Sequence, residues 1–428
     1  MPSDDLFGSL FVPDAVREAV SGRAWIQAML DTERGYAAAA ARVGVIPAGA
    51  AERIAAACNA DRFDVQKVAV AGRAVANPAQ PLVRALREAV GGEDARYVHY
   101  GAASQDVVDT AAMLVARRAL DLILDELDAV AAANARLAEA HRGTIIPART
   151  LLQQAVPTTF GLKAASWLVG VVEARRALAA VRRERLAVQL GGAGGTLAVL
   201  GDRGPEVMRL LAEELDLVEP VIPWHAVRGR VAELGAALDL AAGACAKIAR
   251  DVTLLAQTEV AEVATGDDGR SSTMPQKRNP SSALLALACA RHVHAQAGLL
   301  LGALVQEHER GAGAWQAEWE ALSAALAFAG GAAAGTRATV EALHVDEERM
   351  HDNLTEAALS ERAAFLLAER LGLPDAQEAV SSRKSVRDVL VEHLSPAEVE
   401  SALDPAGYLG AADVFVSRAL ELYRRELA

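Results

Sequence analysis

Residues 270–280 read RSSTMPQKRNP. The run sets two hydroxyls, Ser271 and Ser272, close to a Lys277–Arg278–Asn279 cluster. The preceding Thr265–Gly266–Asp267–Asp268–Gly269 suits a flexible approach. Three more polar clusters sit at breaks between helix-like stretches. His99–Tyr100–Gly101–Ala102–Ala103–Ser104–Gln105–Asp106 precedes one long apolar-striped segment. Arg149–Thr150 with Gln153 and Gln154 precedes a second, and Trp224–His225 with Arg228 and Arg230 a third. Arg and Lys hold carboxylates by charge-assisted hydrogen bonds, and helix N-termini present free N–H groups. Together the four clusters suit a polycarboxylate. No thiol, metal set or cofactor fingerprint accompanies them: HExxH, GxxxxGK[ST] and GxGxxG do not occur. We therefore expect no cofactor and no metal. The chemistry left to such a site is proton removal or delivery beside a carboxylate, with the resulting enediolate stabilised by cations and N–H donors.

Each residue has a plainer reading when taken singly. Ser104, Asp106, Ser271 and Ser272 are all good helix N-caps. His99 or His225 alone reads more simply as a hydrogen-bonded structural histidine. His292 and His294 lie two apart on a helix, point away from each other and make a poor metal pair. Gly191–Gly195 lacks the strand-then-helix context of a nucleotide loop. The combination, not any one member, carries the chemical argument.

Positioning these clusters needs long helices, and the composition supplies them. Of the 428 residues, 52% are hydrophobic and only 4% aromatic, so alanine, leucine and valine dominate the apolar content. Small, strongly helix-forming side chains suit closely packed helices, and the expected class is all-α. Residues 24–43 read as an amphipathic helix with Ile26, Met29, Leu30 and Tyr36 near helical spacing. Long apolar-striped segments are expected at 107–142, 158–188, 227–264, 280–309 and 315–342, which together read as a bundle. The expected domains are an N-terminal helical domain over 1–106, the central bundle over 107–349 and a C-terminal helical domain over 350–428. Apolar residues on more than one face of Leu234 to Ile248 predict homo-oligomerisation.

The net charge of −13 argues against nucleic acid as a partner. Cys58, Cys245 and Cys289 are far apart in alanine-rich surroundings and read as buried free thiols. MPSDDLFGSL has no basic run followed by an apolar one, and no stretch offers about 20 uncharged apolar residues. A soluble, cytoplasmic protein with no membrane association is expected.

SSTMPQKRNP resembles the signature loop of the fumarase/aspartase superfamily, usually written GSSxMPxKxN. HYGAASQDVVDT is similar to the first characteristic segment of that superfamily and ARTLLQQAVPTTFGLK to the second. The resemblance covers nearly the whole chain. SGRAWIQAMLDTE, QLGGAGGTLAVLGDRG, PWH, QEHERGAGAWQAEWEAL and DPAGYLGAADVFVSRAL further resemble the branch that closes 3-carboxy-cis,cis-muconate to a lactone in protocatechuate breakdown. The resemblance implies a three-domain α protein, a homotetramer with a central helical bundle, and active sites shared between subunits. It makes Ser271 the proton-transferring serine and His99 a second catalytic candidate beside the substrate. Lys277 and Asn279 would hold a substrate carboxylate, within a signature that also contains Ser272 and Met274. Ser104, Arg149, Thr150 and Gln153 would bind and orient substrate, joined by His225 and Arg228 of the third cluster.

Departures from the family pattern narrow the reaction. Members that expel an amine or hydroxyl usually read RTH, with the histidine as general acid; here Leu151 stands there. Losing such an acid costs roughly 10²–10⁴-fold. A carboxylate leaves without a proton, because its conjugate acid has a pKa near about 4, so leucine is compatible with lactone chemistry. A β-elimination with another low-pKa leaving group, such as nitrite from nitrosuccinate, fits equally. Ala103, Arg270, Gln276, Ala226 and Gly229 also replace usual family residues. Ala103 and Arg270 leave a third reading, a helical scaffold that has lost turnover. Intact Ser271, Lys277 and Asn279 weigh against it.

Overall fold

The structure is a computed structural model, and it describes residues 6–266, 273–274, 277–382 and 385–427. Five long helices dominate: Ser104–Ala140, Phe160–Glu184, Gly229–Leu255, Ser281–Gly302 and Ala314–Glu341. They fall where the apolar stripes predict them, with ends displaced by several residues. Two of the displacements have a visible cause. The third expected segment stops at Leu255, because Val263–Thr265 forms a strand paired antiparallel with Leu343–Val345. The fourth stops at Gly302, a residue that disfavours helix continuation. The amphipathic segment near the start spans Gly22–Arg42, and the Ser21 side chain accepts the Ala24 N–H at 3.1 Å as its cap.

The chain folds as two units. The first comprises Met1–Glu126, Ala174–Cys245 and Leu285–Ala334; the second comprises Leu127–Glu173, Ala246–Leu284 and Gly335–Ala428. Leu30, Leu82, Leu86, Met113, Leu114, Leu120 and Ile123 are fully buried in the first. Within it, Gly35 brings the Gly22–Arg42 helix against Leu211 and Leu215, since a Cβ at Gly35 would stand 3.0 Å from Leu215. In the second unit Phe160 and Trp167 are buried edge-to-face, 5.7 Å apart, and the Trp167 Nε1–H donates to Asp251 at 2.8 Å. A separate core of the second unit gathers Leu367, Val389, Leu390 and Val399.

Besides the short strand pair at 263–265 and 343–345, the all-α expectation needs a second amendment. IIPART, read as a break, is strand Ile145–Thr150, and its partner is Gln153–Thr159. Ile145 lies opposite Thr159 and Thr150 opposite Gln153, with an irregularity between Pro147 and Arg149. The two-residue connection is Leu151–Leu152, at φ of 52° and 66°. Two-residue hairpin loops require this left-handed geometry and usually recruit Asn or Gly. A Leu–Leu turn carries no such signal, so periodicity alone does not announce the hairpin.

All three cysteines are free and buried, as expected. Burial pushes the Cys58 and Cys289 thiols up to about 12, so both stay protonated at neutral pH. No stretch is expected to offer about 20 uncharged apolar residues, and the one helix among the described residues that approaches a span carries a charge. Ser281–Gly302 is long and apolar enough by length and composition. Arg291, His292 and His294 lie in its middle, where a bilayer core disfavours charge.

Replacing the fully buried Leu120 with alanine is expected to cost about 2–5 kcal/mol. Denaturant unfolding followed by circular dichroism measures this as a lower midpoint with an unchanged slope.

Candidate active site

The first unit organises its polar residues around the start of the Ser104–Ala140 helix. Asp106, 1% exposed, accepts four hydrogen bonds. Its Oδ2 takes the N–H of Ala103 at 2.8 Å and of Gly192 at 2.9 Å. Its Oδ1 takes the Gly191 N–H at 2.9 Å and lies 2.7 Å from Nε2 of His225. Reaching back to Ala103, Asp106 satisfies a donor at the helix start from the third helical position, so neither it nor Ser104 is the N-cap residue the sequence suggested. Ser104 is the first helical residue and half-buried, and its hydroxyl has no partner among the described residues.

One turn further on, Asp109 and Glu318 share the guanidinium of Arg228. Arg228 donates to Asp109 at 2.7 and 3.0 Å and to Glu318 Oε1 at 3.0 Å, with a further bond from Nη2 to Glu318 Oε2. Trp315 Nε1 also donates to Asp109 at 2.9 Å, and Gln306 to Glu318 at 3.0 Å. Burial by itself would lower the Arg228 pKa, but the two carboxylates outweigh it and raise it. Burial pushes Glu318 up against the pull of Arg228, because one guanidinium is divided between two acids.

This geometry narrows two expectations. His225 is 4% exposed and committed to Asp106; Arg228 is 2% exposed and committed to Asp109 and Glu318. Arg228 is built into the scaffold, whereas His225 is held through Nε2 and its Nδ1 has no partner among the described residues. His99 differs. Its backbone adopts φ of 60°, and its Nδ1 lies 2.6 Å from Glu33, while Nε2 has no partner among the described residues. Burial lowers the His99 pKa, yet Glu33 and then Asp106 outweigh it, so the net shift is upward.

The second unit holds the hairpin and the ends of the signature segment. Thr150 and Gln153 are exposed, flanking a turn whose Leu151 is 97% exposed. Arg149 is less available than expected. Its guanidinium forms a two-pronged pair with Glu262, at 2.8 and 2.6 Å, and Glu262 is wholly buried. Asn353 donates to the same carboxylate at 2.9 Å. With 24% of its side chain exposed, Arg149 keeps one edge open. Lys277, Arg278 and Asn279 line a cleft of about 770 Å³ together with Thr265, His344 and Glu347. The Lys277 N–H donates to the Met274 carbonyl at 3.0 Å, closing a turn within the signature. Met274 is 42% exposed. Ser271 and Ser272, like Arg270 and Gln276, lie outside the described residues.

Thus His99, Ser104, His225 and Arg228 belong to the first unit, and Arg149, Thr150, Gln153, Met274, Lys277 and Asn279 to the second. Sequence reading missed the carboxylates Glu33, Asp109, Glu262 and Glu318. A signal existed for Glu33: it continues the Ile26–Met29–Leu30–Tyr36 stripe, where an acid on the buried face implies a partner.

Residues 12–294 match the family described as Lyase. A 3-carboxy-cis,cis-muconate cycloisomerase of Bradyrhizobium diazoefficiens is 44% identical over 435 residues, covering 96% of each chain. A nitrosuccinate lyase of Streptomyces davaonensis is 44% identical over 436 residues, covering 95% of this chain and 92% of its own. The crystal structure of 3-carboxy-cis,cis-muconate lactonizing enzyme from Pseudomonas putida superposes with a TM-score of 0.92 at 40% identity, covering 99% of this chain and all of that one. The chain belongs to this lyase family, the fumarase/aspartase superfamily that its signature segment resembles.

Exchanging Arg228 for methionine strands two buried carboxylates and is expected to destabilise the protein by about 3–5 kcal/mol. The double variant Arg228→Met with Glu318→Gln should recover part of that loss in thermal or denaturant unfolding.

Proposed function

We propose, from that membership, that the chain is a cycloisomerase that closes 3-carboxy-cis,cis-muconate to a carboxymuconolactone. A substrate carboxylate oxygen adds across the conjugated double bond, the electron pair moves onto a neighbouring carboxyl as an enediolate, and the carbon is then protonated. Ser271 delivers that proton. Lys277 and Asn279 hold a carboxylate, with Met274 and Ser272 shaping the same loop. Thr150, Gln153, the open edge of Arg149, and Ser104 orient the substrate, with the imidazole of His99 beside it.

The observation that carries this reading is Leu151. It occupies the turn between Thr150 and Gln153, so no acid stands at the hairpin tip. A reaction whose reverse expels a carboxylate needs none. The 44% identity to the Bradyrhizobium cycloisomerase supports the same choice. A second reading, β-elimination of nitrite from nitrosuccinate, shares the leaving-group argument and has the Streptomyces relative behind it.

The active sites are shared between subunits of a cytoplasmic homotetramer with three helical domains per chain. Support comes from the Ser281–Gly302 helix, where Leu284, Leu299 and Leu301 are 49%, 42% and 44% exposed in the single chain.

The test is the ultraviolet absorbance of 3-carboxy-cis,cis-muconate on mixing with protein, since lactonisation breaks the conjugation. Rapid decay is expected, and Ser271→Ala should slow it by about 10²–10⁴-fold. A flat trace with fumarate released from nitrosuccinate would establish the second reading instead. Light scattering should report a tetramer; a monomer at micromolar concentration removes the shared sites.

A further inference from the structure

Glu33 is a carboxylate in a place that ordinarily excludes one. It lies on the inner face of the Gly22–Arg42 helix with 2% of its side chain exposed, among Met29, Leu30 and Tyr36. A buried charge must be paired or neutralised. Its one ion-pair partner among the described residues is His99, whose Nδ1 stands 2.6 Å from Oε1. His99 has 13% of its side chain exposed, and its backbone is left-handed, at φ of 60°. A non-glycine residue holds that conformation when its surroundings over-determine it, and the Glu33 bond is a side-chain contact made in it. With Nδ1 taken, Nε2 is the ring nitrogen left, a donor when the ring is protonated and an acceptor when it is neutral.

We infer that Glu33 is a positioning residue: it fixes the His99 ring through Nδ1 and turns Nε2 outward toward a substrate carboxylate, to which the protonated ring would donate. The inference rests on the reading that His99 stands beside the substrate.

The groups facing His99 come from three helices. Glu33 and Tyr36 lie on Gly22–Arg42, Arg87 on Ala79–Val90 and Asp106 on Ser104–Ala140. Burial and Arg87 favour the neutral ring, whereas Glu33 and Asp106 favour the charged one and prevail. The imidazolium consequently persists to a pH above the ordinary midpoint of about 6.5. Removing the Glu33 charge takes away the leading opposition to burial, so the midpoint must fall.

The experiment compares wild type, Glu33→Gln and Glu33→Asp as full chains. Nuclear magnetic resonance of labelled histidine gives the His99 titration, assigned by its loss in His99→Gln. The second readout is the pH dependence of kcat and KM with 3-carboxy-cis,cis-muconate. In Glu33→Gln the His99 midpoint should fall to or below about 6.5. The alkaline limb of kcat/KM should move down with it, and at a pH between the two measured midpoints KM should rise roughly 10-fold or more while kcat changes less. Glu33→Asp keeps the charge and should restore much of the wild-type profile; it also carries the test if Glu33→Gln does not fold. An unchanged His99 titration in Glu33→Gln overturns the pairing. A lowered titration with an unchanged kinetic profile keeps the pairing but overturns the substrate role of Nε2–H. Absence of turnover in wild type rejects the proposed reaction and, with it, the substrate role, while the titration still decides the pairing.

Discussion

The first unit depends on one carboxylate. Asp106 accepts three backbone N–H groups and faces His225, with almost no exposure to water. Charge-assisted bonds in so dry a place are strong, and leaving any of the donors unsatisfied is costly. This constraint fixes where the Ser104–Ala140 helix begins and where the 191–192 segment lies. It also explains two glycines. A Cβ at Gly191 would stand 2.7 Å from the His225 ring, and Gly192 adopts φ of 67°. The next turn of the helix repeats the device: Thr110 exchanges hydrogen bonds with the Gln189 backbone at 2.8 and 3.1 Å, and Asp109 takes Arg228.

A division of labour follows among residues that look alike in the sequence. Arg228 is consumed by the scaffold, His225 is held through Nε2 by Asp106, and Arg149 is largely consumed by Glu262. His99 and Ser104 retain polar atoms without partners among the described residues. The buried acids thereby decide which cations and imidazoles remain for chemistry. In the second unit the hairpin shows Thr150, Leu151 and Gln153 to solvent through a turn that is costly for leucine. The apolar residue at its tip fits a reaction that needs no proton on its leaving group. Both preferred reactions, lactone formation and nitrite elimination, meet that condition, and they differ in the substrate held, not in the acid supplied.

Much of the fold was legible in the sequence. The five long helices follow from apolar stripes uninterrupted by proline, because a 3.6-residue period and small side chains leave few alternatives to close helix packing. The signature residues Lys277 and Asn279, and the second-segment residues Thr150 and Gln153, were legible because they form contiguous motifs. Cys58, Cys245 and Cys289 were correctly read as buried from their alanine-rich surroundings alone. The hairpin at 145–159 was not legible, since its turn uses two leucines where backbone geometry favours Asn or Gly.

The sequence by itself therefore determined the class of fold, the long-helix framework and the family, since each rests on local periodicity or on a contiguous run of residues. Tertiary structure alone decided which polar side chains are structural. Glu33 meets His99 across 66 positions, Arg149 meets Glu262 across 113, and Arg228 meets Asp109 across 119. Electrostatic pairing acts through space at about 3 Å and carries no trace of sequence separation. An arginine beside a tryptophan and a histidine reads the same whether it faces a substrate or two buried acids. Folding puts the acids in place and settles which it is.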